Sequence, residues 1–598
     1  MMRKNFIWSG LFLILTLICA YFASLVERDF GRIEVSTITF MTEEKQPMVA
    51  KLYRPHSATD KSPKPGLLAL HGYQSDKEAT NTFGALELAK RGFVVLAIDH
   101  FGHGYSTALP ASNKNMSGAN NGYQYLKSLP FVDNQRLGIF GHSTGALNAL
   151  RVAKLNPDHK AVNGQSGNGG EPSLHNYLLT QGLYEEIGGY REKSFPVKDL
   201  TKNYSRLKAF SLEENGSLQW DHTYGNFTDG SARRAALVDG THLGVMISSH
   251  TNKEAVLWFN QALQQGQKDA DWVEPDQQTY WYKEFAGLFA LSFALVSSLF
   301  LAAGLLNHSY FSAVTQPPST KIELSSNKWF YFAIGNIMMT IVLYPLFTQW
   351  GGANEPIAAV VPFMPLEMGN GIILWLIVSA IVNYILFFIW SRKKLISWQE
   401  FGVFSNTSNI TTVQLILRYF ILAIILVGYL YSIAYLVHSI WQVELRFLWP
   451  IFKPLTAERF ILFPIYWLFI FFFFYSFNGL IINVQMRMKH RKCFTMTLIN
   501  WTIKTSLFAV GGLIILWLFH FIPNFMQLGP GFDLIGLPQF GGRWMMMLSV
   551  IIPQFVIFIL ISHWCYLKTG YVYLSVFFTS MLMAWILVGG QVIGRFLA

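Results

Sequence analysis

Charge is scarce in this 598-residue chain: Asp, Glu, Lys and Arg together make up 14% of it, against about 25% in ordinary soluble domains. At about 150 residues per domain the length would suggest four soluble domains, but so few charges cannot cover their surfaces. Hydrophobic residues reach 52%, with 50 Phe among them, and mean hydropathy is +0.30. Most of the chain must therefore face lipid. Cysteine is also scarce. The three present, Cys19, Cys493 and Cys565, exclude a disulfide-stapled scaffold. Carboxylates are missing from the long apolar runs: after Lys283, all of Glu284, Glu323, Glu355, Glu367, Glu400, Glu444, Glu458 and Asp533 fall between runs. Ion-coupled transporters commonly place acids within the membrane, so this absence weighs against one. The net charge of +11 does not indicate a nucleic-acid partner. Its basic residues cluster in short runs beside apolar segments, such as Arg392-Lys393-Lys394 and residues 487–492, which is a topology signal.

The first apolar run, 6–26, follows Met-Met-Arg-Lys-Asn. It is long enough to cross a bilayer core of about 30 Å and ends in a poor cleavage site, so an uncleaved signal anchor over 1–29 is expected. From 30 to 279 no run reaches spanning length, and charges, Gly and Asn are dispersed. This segment is a water-soluble domain with enough chain for a full core. Apolar runs near 285–306, 329–350, 372–390, 415–440, 460–484, 502–522, 544–566 and 571–593 then predict eight further spans within 280–598, nine in all. Lys321 and Lys328, Arg392 to Lys394, residues 487–492 and Lys568 fall in alternate loops. The loop 351–371 has no Lys or Arg, and 523–543 has only Arg543. Arg446, Lys453 and Arg459 in 441–459 run against the pattern. The balance predicts a multi-pass cell-membrane protein with a cytoplasmic N-terminus and the soluble domain on the outside.

Within that domain, strand-like and helix-like stretches alternate: Gly66-Leu-Leu-Ala-Leu70, a helix over 83–91, Phe93-Val-Val-Leu-Ala-Ile98, Arg136-Leu-Gly-Ile-Phe140 and a helix over 146–155. Such alternation predicts a mostly parallel sheet with helices on both faces. Gly141-His142-Ser143-Thr144-Gly145 fits G-x-S-x-G between strand and helix. There the glycines allow a turn sharp enough to expose the serine hydroxyl at the sheet edge, beside the free amides of a helix start.

Around this pentapeptide the sequence resembles the α/β-hydrolase superfamily, in particular its dienelactone-hydrolase-like and prolyl-oligopeptidase-like members. The resemblance covers about 35–265. It includes Leu70-His71-Gly72-Tyr73, similar to the family's H-G-x turn; Asp99-His-Phe-Gly-His-Gly-Tyr-Ser106, similar to its D-x-x-G-x-G-x-S loop; and the run from Asp133 into Ser143. It implies Ser143 as nucleophile and the backbone amides of Tyr73 and Thr144 as oxyanion hole. The family order is serine, acid, histidine. His242, in Val238-Asp-Gly-Thr-His-Leu-Gly after a strand-like 234–238, is the expected base, ahead of His250. The acid should follow the preceding strand. With 206–212 read as that strand, Glu213 is the first choice, Glu214 the second, with Asp221 and Asp229 as alternatives. Residues 168–205 suit a cap over the sheet.

The sequence gives no reason to expect a cofactor. His100-x-x-His103 lacks a third ligand at suitable spacing, so no metal is expected. The expected activity is hydrolysis of an ester-like small molecule or lipid at the bilayer, of esterase or lipase type, with a peptide or amide as second choice. The alternatives are an acyltransferase, or a non-catalytic binding or sensing domain coupled to a transporter or signalling unit. Nothing in the sequence identifies a protein partner.

Overall fold

The computed structural model describes residues 2–107, 118–319, 326–351, 361, 363–392, 397–406 and 409–594. Lys321, Glu323, Glu355, Lys393 and Lys394 lie outside the described residues. Helix α1 (Met2–Glu27) leads into β1 (Ile33–Met41), β2 (Pro47–Pro55), β3 (Lys64–Leu70), α2 (Thr82–Ala89), β4 (Val94–Ile98), α3 (Ala119–Ser128), β5 (Val132–His142) and α4 (Thr144–Leu155). Then come β6 (Ala161–Gln165), β7 (Tyr177–Gly182), α5 (Tyr204–Ala209), β8 (Thr223–Tyr224), β9 (Arg233–Val238), α6 (His242–Ile247) and α7 (Ser249–Gln264).

The nine strands form one sheet in the order β1-β2-β4-β3-β5-β6-β7-β9-β8. From β4 to β9 all pairings are parallel, and β1, β2 and β8 add antiparallel edges. The central strands read as continuous apolar runs because helices cover both faces; every residue of β4 is buried. One side of the sheet packs Leu68, Leu96, Ile139 and Val162 against α3 and α4. The other packs Leu67, Val95 and Phe140 against α2 and α7. The carboxyl ends of β3, β4, β5, β7 and β9 converge on one edge, where ligand sites of open parallel sheets lie.

The segment expected as a strand over 206–212 is instead helix α5. Asn203 accepts from the amides of Ser205 and Arg206 and so starts a helix at that point. The strands that precede β9 in the sheet are β6 and β7, which the sequence reading had passed over.

The remainder is helical: α8 (Tyr280–Leu305), α9 (Ser309–Ser312), α10 (Ser326–Gly351), α11 (Glu367–Arg392), α12 (Thr412–Trp441), α13 (Ala457–Phe474), α14 (Phe494–Phe525), α15 (Gly531–Leu534), α16 (Gly542–Thr569) and α17 (Tyr573–Gly590). A short hairpin of β10 (Leu445–Phe447) and β11 (Trp449–Phe452) interrupts them. Among the described residues, nine helices are long and apolar enough to cross a membrane: α1, α8, α10 to α14, α16 and α17. Of these, α17 is 94% buried and forms the centre of the bundle. Helix α1 runs along α8, where the Ser9 hydroxyl donates to the Ser297 carbonyl at 3.0 Å.

Candidate active site

Ser143 sits between β5 and α4 with φ +58° and ψ −122°. A non-glycine residue pays on the order of 1–3 kcal/mol for such a conformation, so the surroundings must enforce it. The Ser143 amide donates to the Gln165 carbonyl of β6 at 2.9 Å, and the Ser143 carbonyl accepts from Ala146. Side chains are excluded on either side. A Cβ on Gly141 would lie 2.4 Å from the Gly145 carbonyl oxygen, and one on Gly145 would lie 2.2 Å from that of Leu70. The turn after β3 also packs against the elbow, less tightly: a Cβ on Gly72 would lie 3.2 Å from Ser143 Cβ. Tyr73, Ser143 and Thr144 thereby line one cavity of about 720 Å³. Thr144 opens α4, and the amides of a first turn have no acceptor within their own helix.

His242 lines the same cavity. It opens α6 after β9, and Thr241 caps that helix by accepting from Gly244. The carboxylate on the imidazole is Glu185. His242 Nδ1–H donates to its two oxygens at 2.8 and 3.0 Å, and Glu185 is fully buried. Glu213, Glu214 and Asp221 are surface residues; Asp221 faces Arg234. The expectation that one of them meets the histidine is thus corrected. Glu185 follows β7, the strand that neighbours the histidine strand β9 in the sheet. The end of β7 is tied to the histidine loop: Leu183 donates to the Val238 carbonyl at 2.9 Å and Tyr184 to that of Gly240 at 3.0 Å.

Burial pulls the His242 imidazolium down, but the Glu185 carboxylate outweighs it and leaves the pKa raised. His142 is held at about 3 by burial and by neighbouring His242. It stays neutral and donates from Nε2 to the His242 carbonyl at 2.8 Å.

Glu186 accepts from the His242 amide at 2.8 Å, while burial and then the Glu185 charge push its pKa up to about 7. A folded-state pKa above the unfolded value contributes stability that is complete below about pH 4.5 and lost as pH rises through about 7. Glu186→Gln removes that loss. The variant should unfold at higher temperature than wild type above pH 7, by an equivalent of about 1–3 kcal/mol, and the gap should close below about pH 4.5. Thermal melts of both proteins across pH 4–9 measure this, and a gap independent of pH would refute it.

Residues 168–205 do not roof the site alone. The cavity is closed by the membrane-helix region: Gln349 at the end of α10, Glu367 at the start of α11, Trp449 of the hairpin, and the segment from Pro538 to Met546 that leads into α16. That region also fixes the acid loop, since Asn524 donates to the Tyr184 carbonyl at 2.6 Å and Asp533 pairs with Arg191. Tyr190, which the sequence reading placed in a cap, stacks on the His242 ring with centroids 5.1 Å apart. Its hydroxyl lies 3.4 Å from Ser143 Oγ. Among the described residues Ser143 makes no hydrogen bond to His242. Catalytic hydrogen bonds are often loose without substrate and tighten in the complex.

The other motif histidines bind the scaffold. His71 donates from Nδ1 to the Gly72 carbonyl at 2.7 Å and accepts at Nε2 from the His100 amide at 3.0 Å, which joins the turns after β3 and β4. His250 faces Glu254 at 3.8 Å, away from the cavity. Among the described residues no cluster of His, Cys, Asp and Glu has metal-site geometry.

Residues 61–165 match the family model described as "Serine aminopeptidase, S33". Among solved structures the chain is similar to a hypothetical protein from Pseudomonas aeruginosa, at 25% identity over 23% of this chain and 43% of that one, with a TM-score of 0.21. It is also similar to a dienelactone hydrolase from Anabaena variabilis, at 19% identity over 39% of this chain and 99% of that one, with a TM-score of 0.28. The chain thus spans less than half of the first of these. No curated protein matches it. The family match and the sheet order give the first domain an α/β-hydrolase-like fold, joined to a helical region with nine candidate membrane spans among the described residues.

Proposed function

We propose that this α/β-hydrolase domain is a membrane-anchored serine hydrolase that cleaves an ester-like acyl substrate through Ser143, His242 and Glu185. One observation carries the reading: a serine held at positive φ shares its cavity with a histidine whose Nδ1 is fixed by a buried carboxylate. In this mechanism Ser143 Oγ leaves Tyr190, gives its proton to His242 Nε2 and attacks the carbonyl carbon. The Tyr73 and Thr144 amides stabilise the resulting oxyanion. When the tetrahedral intermediate collapses, the imidazolium protonates the leaving alcohol. Water, activated by the same imidazole, then releases the acid. An alcohol in place of that water would make the enzyme an acyltransferase.

The membrane geometry enters the reading through the basic-loop pattern, which favours the hydrolase domain outside a cell membrane with the N-terminus inside. A second, peptidase reading draws on the family match and on Glu367, a carboxylate lining the cavity where a substrate amine would sit. It is the weaker of the two, because Glu367 already accepts from the Tyr73 hydroxyl.

The test is covalent labelling of the full chain in detergent with ethyl fluorophosphonate, followed by mass mapping of the adduct. The expected result is a single adduct on the Ser143 peptide that does not form when the protein is heat-denatured before the probe is added. Absence of an adduct on folded protein would overturn the reading in favour of a binding or sensing domain.

A further inference from the structure

Beside the catalytic cavity lies a second chamber of about 550 Å³, within the range of about 300–1,000 Å³ typical of ligand sites. The two adjoin: Leu243 and Met246 of α6, Trp449 of the hairpin and Met546 of α16 line both. Leu243 is the residue after His242, so the chamber begins one side chain from the proposed base.

The chamber differs from the catalytic cavity in chemistry and in parentage. The catalytic cavity carries Gln349, Glu367, Gln539 and Arg543 on its far side. The chamber is walled mainly by apolar side chains of three candidate spans: Leu288 and Leu291 of α8, Trp517 and Phe521 of α14, Val550 and Ile557 of α16. It fills a gap between helices. Helices α14 and α16 pack along one another, while α8 packs chiefly on α1.

The chamber also has a mouth. Ser549, Pro553 and Ile557 line it and are exposed, although each lies well inside the α16 span. Their four-residue spacing puts them on one helix face. A surface residue at that depth faces hydrocarbon, so the opening leads sideways into the bilayer. The polar Ser549 hydroxyl does not spoil the apolar rim, because it is occupied by the Trp517 indole N–H at 3.0 Å.

We propose that the chamber is the acyl-chain site of the hydrolase: the substrate is a long-chain acyl ester that enters from the bilayer between α8 and α16, with its chain in the chamber and its polar alcohol portion toward Arg543 and Gln539. This deepens the serine-hydrolase reading and rests on it. The reaction is the acyl transfer already described, with a long-chain carboxylic acid and the free alcohol as products. The apolar walls supply binding energy in proportion to chain length up to the chamber's capacity. A soluble short ester uses only the catalytic cavity.

The experiment compares the rates at which ethyl and hexadecyl fluorophosphonate label Ser143 in the full chain reconstituted into phosphatidylcholine vesicles. It is repeated with Val550→Trp and, separately, Leu288→Trp, each of which fills the chamber without touching Ser143, His242 or Glu185. In wild type the hexadecyl probe should react faster by on the order of tenfold or more. In either variant that advantage should collapse while ethyl labelling stays within about twofold, as expected of a site outside the catalytic cavity. Equal rates in wild type in both vesicles and detergent micelles, or a chain-length advantage untouched in folded variants, would overturn the chamber and leave the hydrolase standing. If neither probe labels folded protein, the hydrolase reading falls and the chamber proposal with it. A hexadecyl advantage that persists in detergent micelles but disappears in vesicles would overturn entry from the bilayer.

Discussion

Glu185→Gln should lower kcat by about 10⁴-fold, because a neutral amide neither holds the productive tautomer of His242 nor stabilises its cation. Ser143→Ala and His242→Ala should each cost more, about 10⁶-fold, since they remove the nucleophile and the base outright. Glu213→Gln, Glu214→Gln and Asp221→Asn should stay within about twofold of wild type, as surface changes usually do. Hydrolysis of p-nitrophenyl butyrate by the full chain in detergent measures the whole series. The pH profile adds a second readout. Ser143 is activated only by neutral His242, whose pKa Glu185 raises, so kcat/KM should rise with pH and reach its half-maximum above the usual histidine value of about 6.5. In Glu185→Gln the residual activity should reach its half-maximum at lower pH, because the charge that favours the imidazolium is gone. A near-wild-type Glu185→Gln beside a crippled Glu213→Gln would return the acid to the surface turn and sink this assignment.

The reason Glu185 escaped sequence reading is physical. The strand pattern is legible where strands are apolar: the end of β3 (Leu-Leu-Ala-Leu), β4 (Val-Val-Leu-Ala-Ile) and Leu-Gly-Ile-Phe of β5 carry no polar side chain, and the elbow follows from its two glycines. By contrast β6, Ala-Val-Asn-Gly-Gln, and β7, Tyr-Leu-Leu-Thr-Gln-Gly, carry polar residues. These find partners inside the sheet: the Asn163 amide donates to Thr180 Oγ1 at 3.0 Å and the Gln165 amide to Asn163 Oδ1 at 2.9 Å. With those strands unseen, the acid was sought close upstream of the histidine. The chain in fact makes a long excursion through α5 and β8 before returning to β9, so Glu185 and His242 stand 57 residues apart. A signal was present: Leu183-Tyr-Glu-Glu186 closes a Gly-terminated strand-like run, as an acid turn should. The nine spans were legible because span length is set by the bilayer and hydropathy records it directly. The roof of the site was not legible at all. Gln349, Glu367 and Arg543 come from the ends of three helices far apart in sequence, and nothing local in any of them marks a shared cavity.

The same roof explains a cost that neither half of the chain would bear alone. Asp76 lies just past the His71-Gly72-Tyr73 turn. Its Oδ1 accepts from the amides of Glu78 and Ala79, while its Oδ2 meets Lys453 Nζ at 2.5 Å, with both side chains almost fully buried. Around them Lys77 pairs with Asp99 at 3.1 Å, Lys51 with Glu27 and Glu78 at 2.8 and 2.9 Å, and Arg446 with Glu284. The Lys453 and Lys77 charges hold the Asp76 carboxyl well below the usual carboxylate range despite burial. Breaking one such buried pair strands an uncompensated charge, at about 3–5 kcal/mol. Lys453→Met should therefore destabilise the full chain by that amount in thermal or denaturant unfolding in detergent. Adding Asp76→Asn should recover more than half of the loss, because it removes the stranded charge and keeps the acceptor for the two amides. The sign with pH is fixed as well. A depressed carboxylate contributes stability that is fully present above its unfolded pKa of about 4 and lost as pH falls below that toward the folded value, so the gap between wild type and Lys453→Met should narrow only below about pH 4. If the double variant were no better than the single one, the pair would matter through packing rather than charge. If Lys453→Met were neutral, the hydrolase domain would not be locked to the hairpin through this contact. The oxyanion turn would then have to be held by β3 and the elbow alone.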